Sequence, residues 1–273
     1  MSRAKRQLLI SPLLLLLLHA TPGHTQVAGS RVAATPILIE LFTSEGCSSC
    51  PPADAWLQTL DSTQPIAGAQ MIVLSEHVDY WNHDGWKDPY SSPFFTDRQS
   101  AYVRALGISS PYTPQVIVDG TNEVHLENQL QASQVLLTAA KAPQVPVSIG
   151  TVSVEGNSPT VLRAHIEADG TASKHSGDVY AAIALDHAES QVLHGENGGH
   201  RLKHVAVVQE LVKIGKVEKG KTFTQDYQGK LKPGEDPKNL RLIVFVQEPG
   251  QGEVLGSALQ EIRPQPNRES ASR

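Results

Sequence analysis

Cysteine, aromatic residues and surplus positive charge are all scarce in this 273-residue chain. Its two cysteines are too few for a four-cysteine zinc site or for a secreted scaffold held by several disulfides. Lysine and arginine number 23 against 28 aspartates and glutamates, which gives a formal net charge of -5. This balance argues against a nucleic-acid-binding protein, which would need a strong positive excess.

Several catalytic signatures are missing as well. The sequence has no glycine loop after a strand that would cradle phosphate, no serine-centred nucleophile elbow and no paired-histidine zinc-protease motif. What is present is the composition of a folded protein, with 40% hydrophobic and 19% charged residues. We therefore expect a globular chain of one large or two modest domains.

The first residues have the pattern of a secretory signal. The run LLISPLLLLLL (residues 8–18) follows Arg3, Lys5 and Arg6, and it is shorter than the roughly 20 apolar residues of a membrane span. We predict a signal peptide over residues 1–28, with the cleavage position open, and an uncleaved anchor as the alternative. The mature protein is then expected in the periplasm or secreted, with no membrane span left after cleavage, where a disulfide persists.

Residues 36–142 alternate strand and helix patterns, which predicts an α/β domain with helices flanking a mixed sheet. Apolar strands are predicted at ILIELF, MIVLSEH and QVIVDG, the last ending in a turn at Asp119-Gly120. Prolines at the start of one helix fit only its first turn. A second helix is expected to begin at Ser91 or Ser92 and to end at Gly107, and a third helix is expected over residues 127–141.

The remainder has a different pattern. Residues 142–146 (APQVP) are predicted to be a linker. Alternating apolar and polar residues with frequent turn signals then predict an all-β, sandwich-like domain over residues 145–263. The stretch HVAVVQELVKIG (residues 204–215) is compatible with a strand or a short helix, and residues 264–273 are expected to be a disordered tail.

The two cysteines lie three positions apart, at the expected start of the first helix. Backbone N–H groups and the helix dipole there would stabilise a thiolate on Cys47 and lower its pKa. Cys47 is expected to be the exposed attacking thiol, and Cys50, within the first helical turn, would resolve the mixed disulfide. The negative charge of Glu45 would oppose that thiolate and raise its pKa.

The cysteine pair has two other interpretations. It is compatible with an inert structural disulfide, or with half of a metal site. Cu(I) prefers thiolate ligands, so a copper-delivery protein using the cysteines with His77 or His83 is an alternative. Three histidines also cluster around a glycine-rich segment, at His194, His200 and His204. The alternatives for this segment are a turn, a metal site, a partner-binding segment or a segment that docks against the first domain.

The order of elements resembles a thioredoxin-like domain. In that fold a cis proline precedes the third strand and packs against the disulfide, and Thr113-Pro114 stands at the matching position. The resemblance implies thiol–disulfide exchange with Cys47, Cys50 and Pro114 at the site, Thr113 beside them, and no cofactor beyond the redox-active disulfide. The chain departs from thioredoxin in having Gly46 before the first cysteine and serines between the two.

The second predicted strand would end near the same site. His77 and Asp79 follow it, and they are expected either to tune Cys50 by charge or proton transfer or simply to hydrogen-bond within their loop. The same segment has four aromatic residues, which would form a wall beside the cysteines or a small core of the loop itself. These are Tyr80, Trp81, Trp86 and Tyr90.

Four segments resemble the secreted thioredoxin-like proteins of domain-of-unknown-function family 1223. They are ELFTSEGCSSCPPAD (40–54), HVDYWNHDGWKDP (77–89), YTPQVIVDG (112–120) and GENGGHRLKHVAVV (195–208). The resemblance implies a fold more strongly than an activity. The expected partners are secreted or periplasmic thiol proteins, and the alternative is a non-catalytic envelope binding module with a structural disulfide.

Overall fold

The structure is a computed structural model that describes residues 34–156 and 160–262. The predicted signal peptide and C-terminal tail lie outside these residues. The helices are α1 (Pro51–Thr63), α2 (Pro93–Leu106) and α3 (Gln129–Ala139). The strands are β1 (Thr35–Thr43), β2 (Ala69–His77), β3 (Gln115–Val118), β4 (Asn122–Val124), β5 (Val147–Ile149), β6 (Ser153–Glu155), β7 (Val161–Asp169), β8 (Gly177–Gln191), β9 (Arg201–Val217), β10 (Thr222–Lys230), β11 (Leu240–Gln247) and β12 (Val254–Glu261). Within the described ranges, no helix is both long and apolar enough to span a bilayer.

The ends of the helices follow the local signals in the sequence. Ser92 caps the start of α2, and its side chain accepts a hydrogen bond from the backbone N–H of Phe94. Gly107 ends the same helix in the left-handed conformation, which glycine adopts without steric penalty. The first helix begins at Pro51, so Cys50 precedes its first turn. The prediction that Cys50 lies within that turn was wrong by one position, because proline occupies the first helical position.

The first four strands form the part of the sheet that carries the cysteines. β1 is parallel to β2 and antiparallel to β3, and β4 continues the sheet beyond β3. Thr43 is paired with His77 at the ends of the two parallel strands. Because parallel strands end at one edge of a sheet, the segments that follow β1 and β2 meet there.

The sheet does not stop at the predicted domain boundary. β9 joins β2 through one parallel pair, Ser75 with Val207, and antiparallel strands follow to give the order β12-β11-β8-β9-β2-β1-β3-β4. The segment predicted as a linker packs against β12, since the Val145 N–H donates to the carbonyl of Leu255 at 2.6 Å. At residues 142–145 the chain therefore changes from alternating strands and helices to strands. Strands from before and after these residues belong to one mixed sheet.

A smaller sheet, with the order β10-β7-β5 and β6 beside β7, covers one face of the C-terminal strands. On β8, Ala181 and Ile183 pack towards this sheet, whereas Ala182 and Ala184 join the core shared with β1 and β2. β11 has five apolar residues in a row (residues 242–246) for the same reason, because both of its faces are buried. The undecided segment at residues 204–215 is strand, within β9. β12 was not predicted, because Gly256, Ser257 and Ala258 weaken its strand pattern.

Candidate functional site

The site is built around the turn between β1 and α1. The Cys47 N–H donates to the carbonyl of Ser44, and the Cys50 N–H donates to the carbonyl of Cys47. These two bonds fold the segment tightly enough for Cys47 and Cys50 to form a disulfide at the start of α1. The cysteines predicted to act as a pair are thus bonded to each other at the edge where β1 ends.

The turn that contains Thr113 lies beside the disulfide. The Thr113–Pro114 peptide bond is cis, as the resemblance implied. The Ser49 hydroxyl donates to the carbonyl of Thr113 at 3.5 Å, and the indole N–H of Trp81 donates to the Thr113 hydroxyl at 2.8 Å. Trp81 also explains Gly46, because a Cβ at that position would lie 3.0 Å from the Cβ of Trp81. A tryptophan before the first cysteine would have no room here.

The exposure predicted for Cys47 was wrong. Both Cys47 and Cys50 have an exposed fraction of 0%, whereas Ser48 and Ser49 between them are exposed. The turn itself therefore faces solvent, and other parts of the chain cover its sulfur atoms. Sequence reasoning placed Cys47 just ahead of a helix correctly but did not predict that the sulfur is buried.

The β8–β9 loop (residues 192–200) is hydrogen-bonded to this turn. The amide of Asn197 donates to the carbonyl of Glu45 at 2.8 Å and to the carbonyl of Cys47 at 2.9 Å. The carboxylate of Glu196 accepts a hydrogen bond of 3.0 Å from the backbone N–H of Ser48. Hydrogen bonds to Ser48 lower the pKa of Glu196. These residues were not predicted individually, although the segment GENGGH was singled out.

Beneath the turn lies a buried cluster of acids and bases. Glu45 is fully buried, and its carboxylate accepts the indole N–H of Trp86 at 2.8 Å and lies 3.3 Å from Nε2 of His204. Asp54 lies 3.5 Å from Nδ1 of the same imidazole. Burial by itself would lower the pKa of His204, but the hydrogen bonds and charges of Asp54 and Glu45 outweigh it and raise that pKa to about 9. The Glu45 charge that was expected to act on Cys47 is thus opposed by an imidazolium.

His77 belongs to a second pair in the same cluster. Its Nδ1 lies 2.7 Å from Oδ2 of Asp88, which also accepts the backbone N–H of Glu45 at 2.9 Å. Burial acts to raise the pKa of Asp88, but His77 and backbone N–H donors outweigh it and lower the pKa. The rings of His77 and His204 meet edge to face, with centroids 4.8 Å apart. We call Glu45, Asp54, His77, Asp88 and His204 the histidine cluster.

The other predicted residues have different surroundings. Asp79 is tied to α2, where the Thr96 hydroxyl donates to its carboxylate at 2.6 Å and accepts its backbone N–H at 3.1 Å. His83, His194 and His200 are exposed. No group of three or more metal-ligating side chains is found in residues 34–156 and 160–262. Tyr80 and Trp81 pack at the small core around Phe42, and Trp86 and Tyr90 contact the histidine cluster.

A second buried polar cluster, which the sequence did not indicate, lies between α2 and the sheet. The guanidinium of Arg98 donates to Glu40 at 2.5 Å and to Gln247 at 3.2 Å, and it lies 3.5 Å from Glu76. Tyr102 donates to the other oxygen of Glu40 at 2.5 Å. Burial and the charge of Glu40 raise the pKa of Glu76 well above its ordinary value, while Arg98 acts against them. We call these residues the arginine cluster.

The comparisons with known proteins point to one family. A crystal structure of a protein from Agrobacterium tumefaciens is 26% identical and has a TM-score of 0.62, covering 85% of this chain and 97% of that one. HBP35 of Porphyromonas gingivalis, 14% identical with a TM-score of 0.61, covers 86% of this chain and 78% of its own, a likeness of fold alone. No curated protein matches the chain. Residues 38–247 match the family model described as "Protein of unknown function (DUF1223)", and the chain belongs to that family.

Proposed function

We propose that this protein is a thiol–disulfide oxidoreductase acting on thiol proteins of the bacterial envelope. One observation carries the proposal: the Cys47–Cys50 disulfide at the start of α1, with the Thr113–Pro114 turn packed beside it through Ser49. A disulfide at a helix start is suited to exchange because the helix dipole favours the thiolate that forms when the bond opens. The signal-like leader supports a periplasmic or secreted location, where such partners are found.

The strand order supports a thioredoxin-like assignment for residues 36–142. A parallel β1–β2 pair joined by α1, followed by an antiparallel β3–β4 hairpin and α3, gives the order β2-β1-β3-β4. The C-terminal residues support a sandwich-like region, because the smaller sheet packs on β8 and β11 through a shared apolar layer. In this view the sandwich shares one of its sheets with the thioredoxin-like unit.

The reaction proceeds by two exchanges from the oxidised protein. A substrate thiolate attacks Sγ of Cys47, the Cys47–Cys50 bond breaks, and its electron pair goes to Cys50 as a thiolate. A second thiolate of the substrate then attacks the substrate sulfur of the mixed disulfide and expels Cys47. The substrate leaves as a disulfide, its two electrons remain on the protein, and both cysteines take up protons. The reverse sequence reduces a substrate disulfide.

Neighbouring residues have supporting roles in this scheme. Pro114 and Thr113 shape the groove beside Cys47, where a substrate chain would lie. His204, carrying its proton, offsets the charge of Glu45 beneath the turn. This compensation lessens the repulsion between Glu45 and a thiolate at either cysteine, and so favours opening of the disulfide.

Mixed-disulfide trapping with Cys50→Ala tests the proposal. Without Cys50 the attacking sulfur remains bonded to its partners, so Cys50→Ala is expected to accumulate covalent adducts with envelope proteins, which reductant releases. The matched control is Cys47→Ala, which keeps one thiol but not the attacking one. Wild type and Cys47→Ala are also compared in a disulfide exchange assay with a protein substrate. Equal trapping by both variants, or equal exchange by wild type and Cys47→Ala, would contradict the proposal.

Complete burial of both sulfurs favours a second candidate, a structural disulfide in a non-catalytic binding module. Such a disulfide stabilises mainly by restricting the unfolded chain. It would resist mild reductants in the native protein, and Cys50→Ala would trap no partners. The same pair of measurements therefore separates the two candidates.

A further inference from the structure

A segment far away in the sequence is hydrogen-bonded to the backbone around Cys47. Asn197 is separated from Cys47 by 150 residues, yet one amide group binds the carbonyls of Glu45 and Cys47, on both sides of Gly46. The carboxylate of Glu196 accepts a hydrogen bond from the backbone N–H of Ser48, the residue after Cys47. The three bonds join the tip of the loop to the backbone around Cys47, so the loop cannot leave without exposing this part of the turn.

The shape of the loop fits this contact. Its own backbone bonds, from Gly199 to the carbonyl of Val192 and from Gly198 to that of Gly195, hold residues 192–200 together as a unit. Gly195 has a φ of 77° and touches the segment after β2, where an added Cβ would lie 2.9 Å from the carbonyl of Asp84. A side chain at this position would therefore force the loop to shift away from the segment after β2.

The bonds on the Ser48 N–H and the Cys47 carbonyl use groups that a thiolate or an incoming peptide would otherwise reach. Backbone N–H groups in a tight turn bind negative charge, and here the carboxylate of Glu196 accepts a hydrogen bond from that of Ser48. The loop thus holds the backbone on both sides of Cys47 and occupies a donor that an incoming negative charge would otherwise use.

We propose that the β8–β9 loop is a cap that closes the disulfide, and that exchange at Cys47 requires Glu196 and Asn197 to release the turn. This inference rests on the proposed function for its biological meaning, as a control of substrate access. The closed state itself requires only the contacts described above. Release of the cap exposes Cys47 while the two sheets remain folded.

The test is the rate at which dithiothreitol reduces the native disulfide. The reagent's two thiols become a cyclic disulfide and its two electrons pass to Cys47 and Cys50, which are counted after acid quench and alkylation. Asn197→Ala removes two hydrogen bonds of the closed state, and we expect reduction about tenfold faster than in wild type. His194→Ala, an exposed change in the same loop, is expected to leave the rate unchanged. Acceleration below about threefold for Asn197→Ala overturns the inference.

Two further variants keep the test decisive. Ile166→Val weakens the buried core of the smaller sheet, far from the cap. If it accelerates reduction as much as Asn197→Ala does, the disulfide is exposed by global unfolding and the cap is overturned. Should Asn197→Ala fail to fold, Glu196→Ala changes an exposed side chain and is expected to speed reduction about threefold; a rate no higher than wild type overturns the cap.

Dithiothreitol requires only that a sulfur be reached, so this experiment is independent of catalysis. If Asn197→Ala accelerates reduction while Cys50→Ala traps no proteins, the cap stands and the proposed function fails. If trapping succeeds and Asn197→Ala changes nothing, the function stands and the cap fails.

Discussion

The histidine cluster and the arginine cluster both bury several charged side chains, but they do so with different consequences. In the arginine cluster, the permanently charged guanidinium of Arg98 pairs with Glu40. Burial and the charge of Glu40 raise the pKa of Glu76, which favours its neutral form. In the histidine cluster, the cation is an imidazolium whose pKa is about 9, not far above neutral pH. Both clusters compensate buried charge by pairing, but the guanidinium of Arg98 stays charged, whereas the imidazolium of His204 loses its proton as the pH rises through about 9.

The difference matches their positions in the sheet. Glu40 and Glu76 lie within strands, where α2 covers them. Glu45 and His77 lie at or just beyond strand ends, where loops and the start of α1 meet. Ends of parallel strands commonly hold functional groups, and interiors of strands hold the packing. The arginine cluster therefore lies between α2 and the sheet, and the histidine cluster lies beside the disulfide turn.

The largest effect is expected from breaking the arginine cluster at its cation. Arg98→Leu leaves Glu40 buried without its partner, and we expect a loss of about 3–5 kcal/mol in the free energy of unfolding. Urea unfolding followed by circular dichroism measures it. Arg104→Leu, an exposed change on the same helix, is the control and is expected to be nearly neutral. If the two variants are equally stable, the ion pair is not what holds α2 to the sheet.

Breaking the histidine cluster should give a smaller effect that depends on pH. The folded pKa of His204 lies above its ordinary value of 6.5, so the folded protein holds a proton that the unfolded chain releases. The stabilisation is present in full below pH 6.5 and is lost as the pH rises through about 9. His204→Gln is therefore expected to cost on the order of 1–3 kcal/mol at the acid end of this range and less at the alkaline end.

Urea unfolding at both ends of that pH range measures the effect. His83→Gln, which changes an exposed histidine, controls for the loss of an imidazole in general. A penalty for His204→Gln that stays constant with pH would contradict the protonation state assigned to this imidazole.

The smallest effect is expected at Glu76, and it sharpens the contrast within the arginine cluster. Because burial and Glu40 favour the neutral form of Glu76, glutamine is close to its isostere, and Glu76→Gln is expected to change the unfolding free energy by less than about 1 kcal/mol. Glu40→Gln, which removes the charge facing Arg98, should cost clearly more in the same urea titration. Equal losses of unfolding free energy in the two variants would contradict the assignment of the negative charge to Glu40 and of the neutral form to Glu76.

Much of the local structure could be predicted from the sequence. Helix ends at Ser92 and Gly107, the buried strands β1 and β2, and the cysteine pair at the start of α1 all depend on neighbouring residues, so short patterns predicted them. The Thr113–Pro114 position followed from family resemblance. β12 escaped prediction because its residues carry little strand preference, and pairing with β11 decides its conformation.

The site itself could be predicted only in part. Cys47 and Cys50 are close in sequence, so their pairing was foreseeable, whereas Asn197 and His204 reach the same turn from more than 140 residues away. Nothing in a single sequence links Glu45 to His204, because that contact depends on β9 aligning with β2. The burial of Cys47 and the compensation of Glu45 were missed for this reason.

By itself the sequence determined where helices begin, which strands are buried and which two sulfurs bond, since these depend on steric and hydrogen-bonding preferences of adjacent residues. Only the tertiary structure decided that the C-terminal strands extend the first sheet and bring the β8–β9 loop over the disulfide. The physical reason is that burial and charge pairing depend on distances in space, and long-range strand pairing sets those distances.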